Sequence, residues 1–204
     1  MRQNNQLTAK PTDKNLFVHA LAPLLIVGAL FLAACSKPAA GAIHLKSPNV
    51  TQDVPVKSGG AFAVTKSFTD VNRNITTAAS YRVYVANYDL DTSNFGMTMN
   101  KPLAADDHVR IVFSLVGEVG GNDKTPLKAG TYSAKADKHM KVEDVSVVSR
   151  KGGPDTEKFL ERNTITGDVK VASVSGDTIT GDIDLTSGET TIKGPFTAKI
   201  LTRK

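Results

Sequence analysis

The densest group of titratable side chains in the sequence is Asp106, Asp107 and His108. Two carboxylates beside an imidazole have the groups needed to hold a cation or to exchange a proton as an acid–base pair. The group comes directly before the most apolar segment of the chain, residues 108–116, and a solvated turn before a strand is the ordinary reason for such a pattern. We favour the turn and keep the cation site and the acid–base pair as alternatives.

A second set of oxygen-bearing side chains begins at Asp89 and continues with Asp91 and Ser93, as at the start of a calcium-binding loop. The glycine that such a loop has at its sixth position is Asn94 here, and the bidentate glutamate at its twelfth position is Asn100. We therefore favour a polar turn over a calcium site.

His139 and Met140 carry the side chains of haem axial ligands, but neighbouring residues of a strand point to opposite faces. The sequence contains no Gly-x-Ser-x-Gly motif, no phosphate-binding glycine loop and no pair of histidines at metal-ligand spacing. A Ser-His-Asp site assembled from distant residues stays open. We predict no catalytic residue, no metal ligand and no cofactor.

Cys35 is the only cysteine, which excludes an intramolecular disulfide and a zinc site of several cysteines. It closes an N-terminal segment that differs from the rest of the chain. Residues 1–15 are polar with a net positive charge, and residues 16–32 are apolar apart from His19. This pattern is typical of a secretory signal peptide, which we assign to residues 1–34. The alternative is an uncleaved signal anchor, for which the apolar segment is only just long enough.

The end of this segment, Leu32-Ala33-Ala34-Cys35, resembles the lipobox of bacterial lipoproteins. The resemblance implies that the Cys35 thiol is acylated and that signal peptidase II cuts between Ala34 and Cys35. It also implies two partners, the lipid bilayer and the lipoprotein processing and sorting machinery. Ser36 follows the cysteine. In Gram-negative lipoproteins an aspartate there signals inner-membrane retention, so we expect an outer-membrane lipoprotein.

The mature chain from Cys35 onward has 170 residues, with 22 basic and 19 acidic residues and a net charge of +3. The length suits one domain. Nucleic-acid binding needs a basic patch, often with aromatic stacking partners. The basic residues are scattered and the chain has no Trp, so we exclude nucleic acid as a partner.

The segment 35–60 is rich in proline and glycine and poor in large apolar side chains, so we predict a lipidated N-terminus and flexible tether there. From Ala61 onward, apolar and polar residues alternate as in β-strands. A short helix is expected over residues 155–162, with Phe159 and Leu160 facing inward. The strands predicted before the C-terminal third cover residues 61–67, 81–88, 108–116, 130–134 and 142–148.

The C-terminal third contains an internal repeat: the hexapeptide at residues 164–169 recurs at 178–183 and, more loosely, at 191–196. Each copy places isoleucine, glycine and an apolar residue at alternate positions, which share one face of a strand. We predict a three-stranded meander with one buried and one polar face. A strand glycine indicates a bulge, strong twist or the close approach of a large side chain, with a ligand slot as the functional alternative. The repeat glycines are Gly167, Gly181 and Gly194.

About eight or nine short strands indicate an all-β domain over residues 61–204. We predict an antiparallel β-sandwich, with an up-and-down β-barrel as the alternative. The predicted core residues include Val83, Val85, Ile111, Phe113, Val145, Val147, Ile179, Ile183 and Phe196.

For function, we predict a membrane-anchored, non-enzymatic binding or envelope-interaction module whose protein or ligand partner the sequence does not specify. One alternative is a carrier of a small apolar ligand inside a barrel. The other is an envelope hydrolase in which His108 or His139 meets a serine and an aspartate.

Overall fold

The computed structural model describes residues 41–48 and 50–202, and over these ranges the chain is all-β with one short helix. The predicted signal peptide, the cleavage site and Cys35 lie outside the described residues. In chain order the elements are β1 (Ala42–Ser47), β2 (Val50–Pro55), β3 (Ser58–Thr69), β4 (Ile75–Ala86), α1 (Phe95–Met99), β5 (Val109–Val116), β6 (Gly130–Ser133), β7 (Lys141–Ser149), β8 (Thr156–Phe159), β9 (Thr166–Ser175), β10 (Thr178–Ser187) and β11 (Thr190–Ile200). No helix in the described ranges has the length and apolar character needed to cross a membrane.

Eight strands pair edge to edge in a closed ring, in the order β3-β4-β5-β7-β6-β9-β10-β11 and back to β3. The ring fits the barrel that the sequence analysis kept as its alternative, and it does not clearly form the sandwich that we predicted first. Antiparallel pairing divides the ring into two arcs. The first arc is β3, β4, β5 and β7, and the second arc is β6, β9, β10 and β11.

The two arcs meet at two short parallel seams. At one seam, Ser133 of β6 pairs with Lys141 of β7, and at the other Lys199 and Ile200 of β11 pair with the start of β3. Beyond the seams, β8 pairs with β7, and the β1–β2 hairpin pairs with β11. Each arc is thus a separate antiparallel sheet over most of its length, which is why strand alternation alone did not distinguish sandwich from barrel.

Side chains from both arcs fill the interior of the ring. Phe113 of the first arc meets Phe196 of the second edge to face, with ring centroids 5.3 Å apart. Tyr132 of β6 is fully buried beside them in the same apolar cluster. All nine core residues predicted from the sequence are buried, so that prediction is confirmed.

The predicted meander is confirmed, because β9, β10 and β11 are antiparallel neighbours in sequence order. The register between β9 and β10 shifts at Gly181. A Cβ on Gly181 would lie 2.2 Å from the carbonyl oxygen of Lys170 and 2.8 Å from the ring of Phe196. This glycine therefore marks a bulge and the close approach of a large side chain.

The structure corrects the expectation of a flexible tether for residues 42–60, which form β1, β2 and the start of β3. Ile43, Leu45 and Val54 are fully buried in the interior cluster. Pro55 is the last residue of β2, which pairs only with β1 among the described strands. An edge strand tolerates proline because its outer side supplies no N–H to a neighbour.

The helix expected over residues 155–162 is wrong, because this segment contains β8 and pairs with the outer edge of β7. Leu160 is buried in the core, whereas Phe159 is 61% exposed. The two apolar residues therefore alternate across a strand instead of sharing a helix face. The segment is too short to show a helical period, and the open edge of β7 decides its conformation.

Candidate functional site

The connection between β4 and β5, residues 87–108, lies against the outer face of the first arc. Met99 of α1 packs there on Tyr84 and Val112, and all three side chains are buried. A pocket of about 320 Å³ lies between this connection and the first arc. The residues that give it chemical character are Lys57, Tyr88, Asp91, Lys101, His108 and Arg110.

The base of the connection is held closed by the side chain of Asn87. Its Nδ2 donates to the carbonyl oxygen of Asp107 at 2.7 Å, and its Oδ1 accepts from the backbone N–H of Val109 at 2.8 Å. One side chain therefore continues the β4–β5 pairing for one more step. This brings together Tyr88 and His108, which are far apart in the sequence.

Tyr88 and His108 form one wall of the pocket as a stacked pair, with ring centroids 4.4 Å apart and planes 14° apart. Burial raises the pKa of the Tyr88 phenol, and the nearby Arg110 partly offsets that rise. The phenol is therefore neutral at physiological pH. The Nδ1 atom of His108 is buried and has no hydrogen-bond partner among the described residues.

Arg110 is the charged residue at the base of the pocket, and it is only 5% exposed. Val109 and Ile111 on either side of it face the interior cluster, so strand alternation places Arg110 on the outer face of the first arc. Its Nη1 donates to the phenol oxygen of Tyr88 at 3.2 Å and to the carbonyl oxygen of Lys101 at 2.8 Å. Its Nε has no partner in the described part of the chain.

The segment 101–103, of which Lys101 and Pro102 line the pocket, is held by three side chains. Arg110 binds the carbonyl of Lys101, and Nη1 of Arg150 donates to the carbonyl of Leu103 at 2.6 Å. The carboxylate of Asp155 accepts the N–H of Leu103 at 2.8 Å. Backbone groups fixed in this way give the pocket a defined shape without a bound ligand.

The acidic residues of the pocket are each paired with a lysine. Lys57 lies 2.8 Å from Asp89, and Lys101 lies 2.7 Å from Asp91. Hydrogen bonds from Lys101 and then from Ser93 lower the pKa of the Asp91 carboxyl well below its usual range. Asp91 is therefore ionised at any physiological pH.

The two acidic clusters singled out in the sequence thus lie at the two ends of the same connection. Asp89, Asp91 and His108 line the pocket, whereas Asp106 faces Arg150 at 3.4 Å. Asp91 accepts the N–H of Ser93 as in a polar turn. Within the described ranges, no group of three or more His, Cys, Asp or Glu side chains is arranged to hold a metal ion.

The other two histidines in the described part of the chain, His44 and His139, do not join this site. His139 lies beside the Lys141 end of β7, which pairs with the far end of β5 from His108. Its ring contacts Phe68 edge to face at 5.1 Å, while Met140 packs on the interior cluster. Neither His108 nor His139 hydrogen-bonds to a serine or an aspartate in the described structure, whereas the exposed His44 bonds to Asp53 at 2.9 Å.

Sequence reasoning missed Arg110, Tyr88 and Lys101 as parts of a site. A signal was present for Arg110, because it is the one charged residue in a strand whose eight positions are all buried. No comparable signal existed for the other two, whose roles depend on how the connection folds. A scan against models of protein families and searches of curated proteins and solved structures found no match to this chain.

Proposed function

We propose that this chain is a lipid-anchored lipoprotein of the bacterial envelope whose β-domain is a small-ligand binding module. The anchoring part rests on the lipobox ending at Cys35. The binding part rests on one observation, the pocket of about 320 Å³ built by the β4–β5 connection. That volume lies at the lower end of the range of small-molecule sites.

The outer pocket supports binding better than the interior of the ring does. Phe113, Phe196 and Tyr132 occupy the interior and are at most 2% exposed. A carrier of an apolar ligand would need that space. The outer pocket instead combines an aromatic wall with fixed polar groups, as ligand sites commonly do.

The anchor is tested by growing cells with a clickable fatty acid and comparing the wild type with Cys35→Ala. Cys35 is the only cysteine, so we expect the label on the wild-type protein and none on the variant. Cys35→Ser is the control for side-chain volume and should also lose the label. Label retained by Cys35→Ala would contradict a lipid anchor on Cys35.

Sorting to the outer membrane is tested separately, because it depends on the residue after the anchor. We expect wild-type protein in the outer-membrane fraction of a Gram-negative host and Ser36→Asp in the inner-membrane fraction. Ser36→Thr is the matched control and should remain in the outer membrane. If the wild type and both variants distribute in the same way between the inner and outer membranes, Ser36 is not the sorting signal.

The binding site is tested with a panel of small aromatic compounds of negative, zero and positive charge. Each is titrated into the full-length, ¹⁵N-labelled protein in detergent micelles, and amide shifts are followed by NMR. Binding in the pocket should shift amides of residues 88–91 and 101–108, and Tyr88→Leu should weaken it. Phe159→Leu, a change at an exposed aromatic ring on β8, is the control. If no compound of the panel shifts these amide signals, the proposal of a binding site in this pocket is wrong.

A further inference from the structure

The pocket contains a buried cation without a counter-ion. Arg110 is 5% exposed, and none of the described carboxylates forms an ion pair with it. Both of its hydrogen bonds go to neutral oxygens, those of Tyr88 and the Lys101 backbone. Buried arginines are as a rule paired, because removing a charge from water is costly.

The carboxylates near Arg110 bind groups other than its guanidinium. Asp89 and Asp91 are paired with Lys57 and Lys101, and the Asp155 carboxylate accepts the N–H of Leu103. Among the residues that line the pocket, Lys57 and Lys101 balance Asp89 and Asp91, so the charge of Arg110 is left over. Asp155 keeps its own negative charge, but it does not line the pocket and forms no ion pair with Arg110. The lining of the pocket therefore carries a net positive charge.

The hydrogen bonds from the guanidinium to described residues all come from one nitrogen. Nη1 makes both hydrogen bonds and fixes the plane of the group. Nε is buried and has no hydrogen-bond partner among the described residues. Arg110 also lines the pocket, where a guanidinium N–H that is not engaged with the protein can donate a charge-assisted hydrogen bond to a carboxylate or phosphate.

Resting on the proposed binding function, we propose that the pocket recognises a small molecule through an oxyanion group, carboxylate or phosphate, held by Arg110. The stacked rings of Tyr88 and His108 form a flat wall beside it. Lys101 lies on the same pocket, although its ammonium is shared with Asp91. The ligand class is thus a small anion with a planar or apolar body.

The experiment uses three probes of equal size and different charge: benzoate, benzamide and benzamidine. Inorganic phosphate is a fourth probe that separates a phosphate site from a carboxylate site. Each is titrated into the full-length ¹⁵N-labelled protein at constant ionic strength, following the Arg110 Nε–H signal and the amides of residues 88–91 and 101–108. We expect benzoate or phosphate to shift these signals, and benzamide and benzamidine to bind at least about tenfold more weakly.

Two arginine variants separate anion recognition from loop anchoring. Arg110→Lys keeps the charge and removes the planar guanidinium, and we expect it to weaken anion binding about tenfold. Arg150→Lys is the matched control, because Arg150 also anchors the 101–103 segment but does not line the pocket. It should change anion binding less than about twofold. Similar backbone spectra for both variants show that the connection remains folded.

The outcomes distinguish this inference from the binding proposal on which it rests. If benzamide or benzamidine shifts the pocket signals as strongly as the anions do, the pocket binds ligands but does not select an oxyanion. Unchanged anion affinity in Arg110→Lys would also overturn the inference. If no probe moves the pocket signals, both proposals fail.

Discussion

The two arcs of the ring use β-structure in different ways. In the second arc, β10 alternates between buried and partly or fully exposed positions, so one face packs and the other contacts solvent. In the first arc, all eight residues of β5 are buried. The interior of the ring covers one face of β5, and the β4–β5 connection contributes to covering the other.

The connections between strands differ in the same way. In the second arc, two-residue turns join β9 to β10 and β10 to β11, and each begins with a glycine at positive φ, Gly176 at 56° and Gly188 at 57°. Such turns suit a regular hairpin ladder. In the first arc, residues 87–108 form a long connection that carries α1 and contributes most of the residues that line the pocket. The regular arc supplies a scaffold, and the irregular connection of the other arc supplies the candidate site, as is common for loops on a rigid frame.

The largest expected effect comes from the contact that joins the arcs inside the ring. Phe196→Ala removes the ring that meets Phe113 and should lower the free energy of unfolding by about 3–5 kcal/mol. Phe159→Ala, at an exposed position on β8, should change it by less than about 0.5 kcal/mol. Urea unfolding followed by circular dichroism measures both. Equal losses would mean that the interior contact does not hold the arcs together.

A second change tests the close approach within the regular arc. Gly181→Ala places a Cβ against the Lys170 carbonyl and the Phe196 ring, and we expect a loss of about 1–3 kcal/mol. Gly153→Ala adds a Cβ that meets nothing within 4 Å and is the control. Unfolding curves in urea give both values. A Gly181→Ala protein as stable as the control would show that the bulge can relax.

A third change acts only on the first arc. Asn87→Ala removes both side-chain hydrogen bonds at the base of the connection, each worth about 1 kcal/mol. Amide hydrogen exchange should become faster in residues 88–108 and stay unchanged in the second arc. Asn122→Ala, in another loop, is a control that should leave the connection protected. Faster exchange throughout both arcs would contradict a local role.

The smallest effect at neutral pH is expected for Tyr132→Phe in the second arc, about 1 kcal/mol from the loss of its hydrogen bond to Lys128. The effect on pH dependence is clearer. Burial raises the pKa of Tyr132 to about 12, whereas a tyrosine in the unfolded chain ionises with a pKa of about 10. Between about pH 10 and pH 12 the unfolded state binds fewer protons than the folded state. The contribution of Tyr132 to the free energy of unfolding is therefore fully present below about pH 10 and is lost as the pH rises toward 12.

Urea unfolding between pH 9 and pH 12 should therefore show a steeper loss of stability in the wild type than in Tyr132→Phe. The slope should not vanish, because burial also raises the pKa of Tyr81 and Tyr88. Identical slopes for the two proteins would show that Tyr132 ionises without unfolding.

The regular parts of the fold were predictable from local pattern. The repeat around Gly181 has a period of two residues, and β5 is a short, nearly continuous apolar run; both patterns indicate a strand from local sequence alone. Two other segments were misjudged because their conformation depends on a neighbour. The edges of β11 and β7 pair with β1 and β8. In β1 the alternation of Ile43 and Leu45 with polar residues covers only two periods, and residues 156–159 show no periodicity.

The candidate site was also only partly predictable from the sequence. Asp89, Asp91 and His108 stood out by residue type, but their grouping with Arg110 in one pocket did not. Arg110 could have been noticed as a charge inside an apolar strand, whereas the Tyr88–His108 stack required the closure made by Asn87.

The sequence by itself determined an all-β domain, its C-terminal meander and the expectation of a lipid anchor at Cys35, because each depends on neighbouring residues alone. Only the tertiary structure decided that the strands close into a ring and that Arg110 is buried without a counter-ion. Both depend on pairings between residues far apart in the chain. Composition and period do not encode which distant partners meet, since that choice minimises exposed apolar surface and unpaired polar groups over the whole domain.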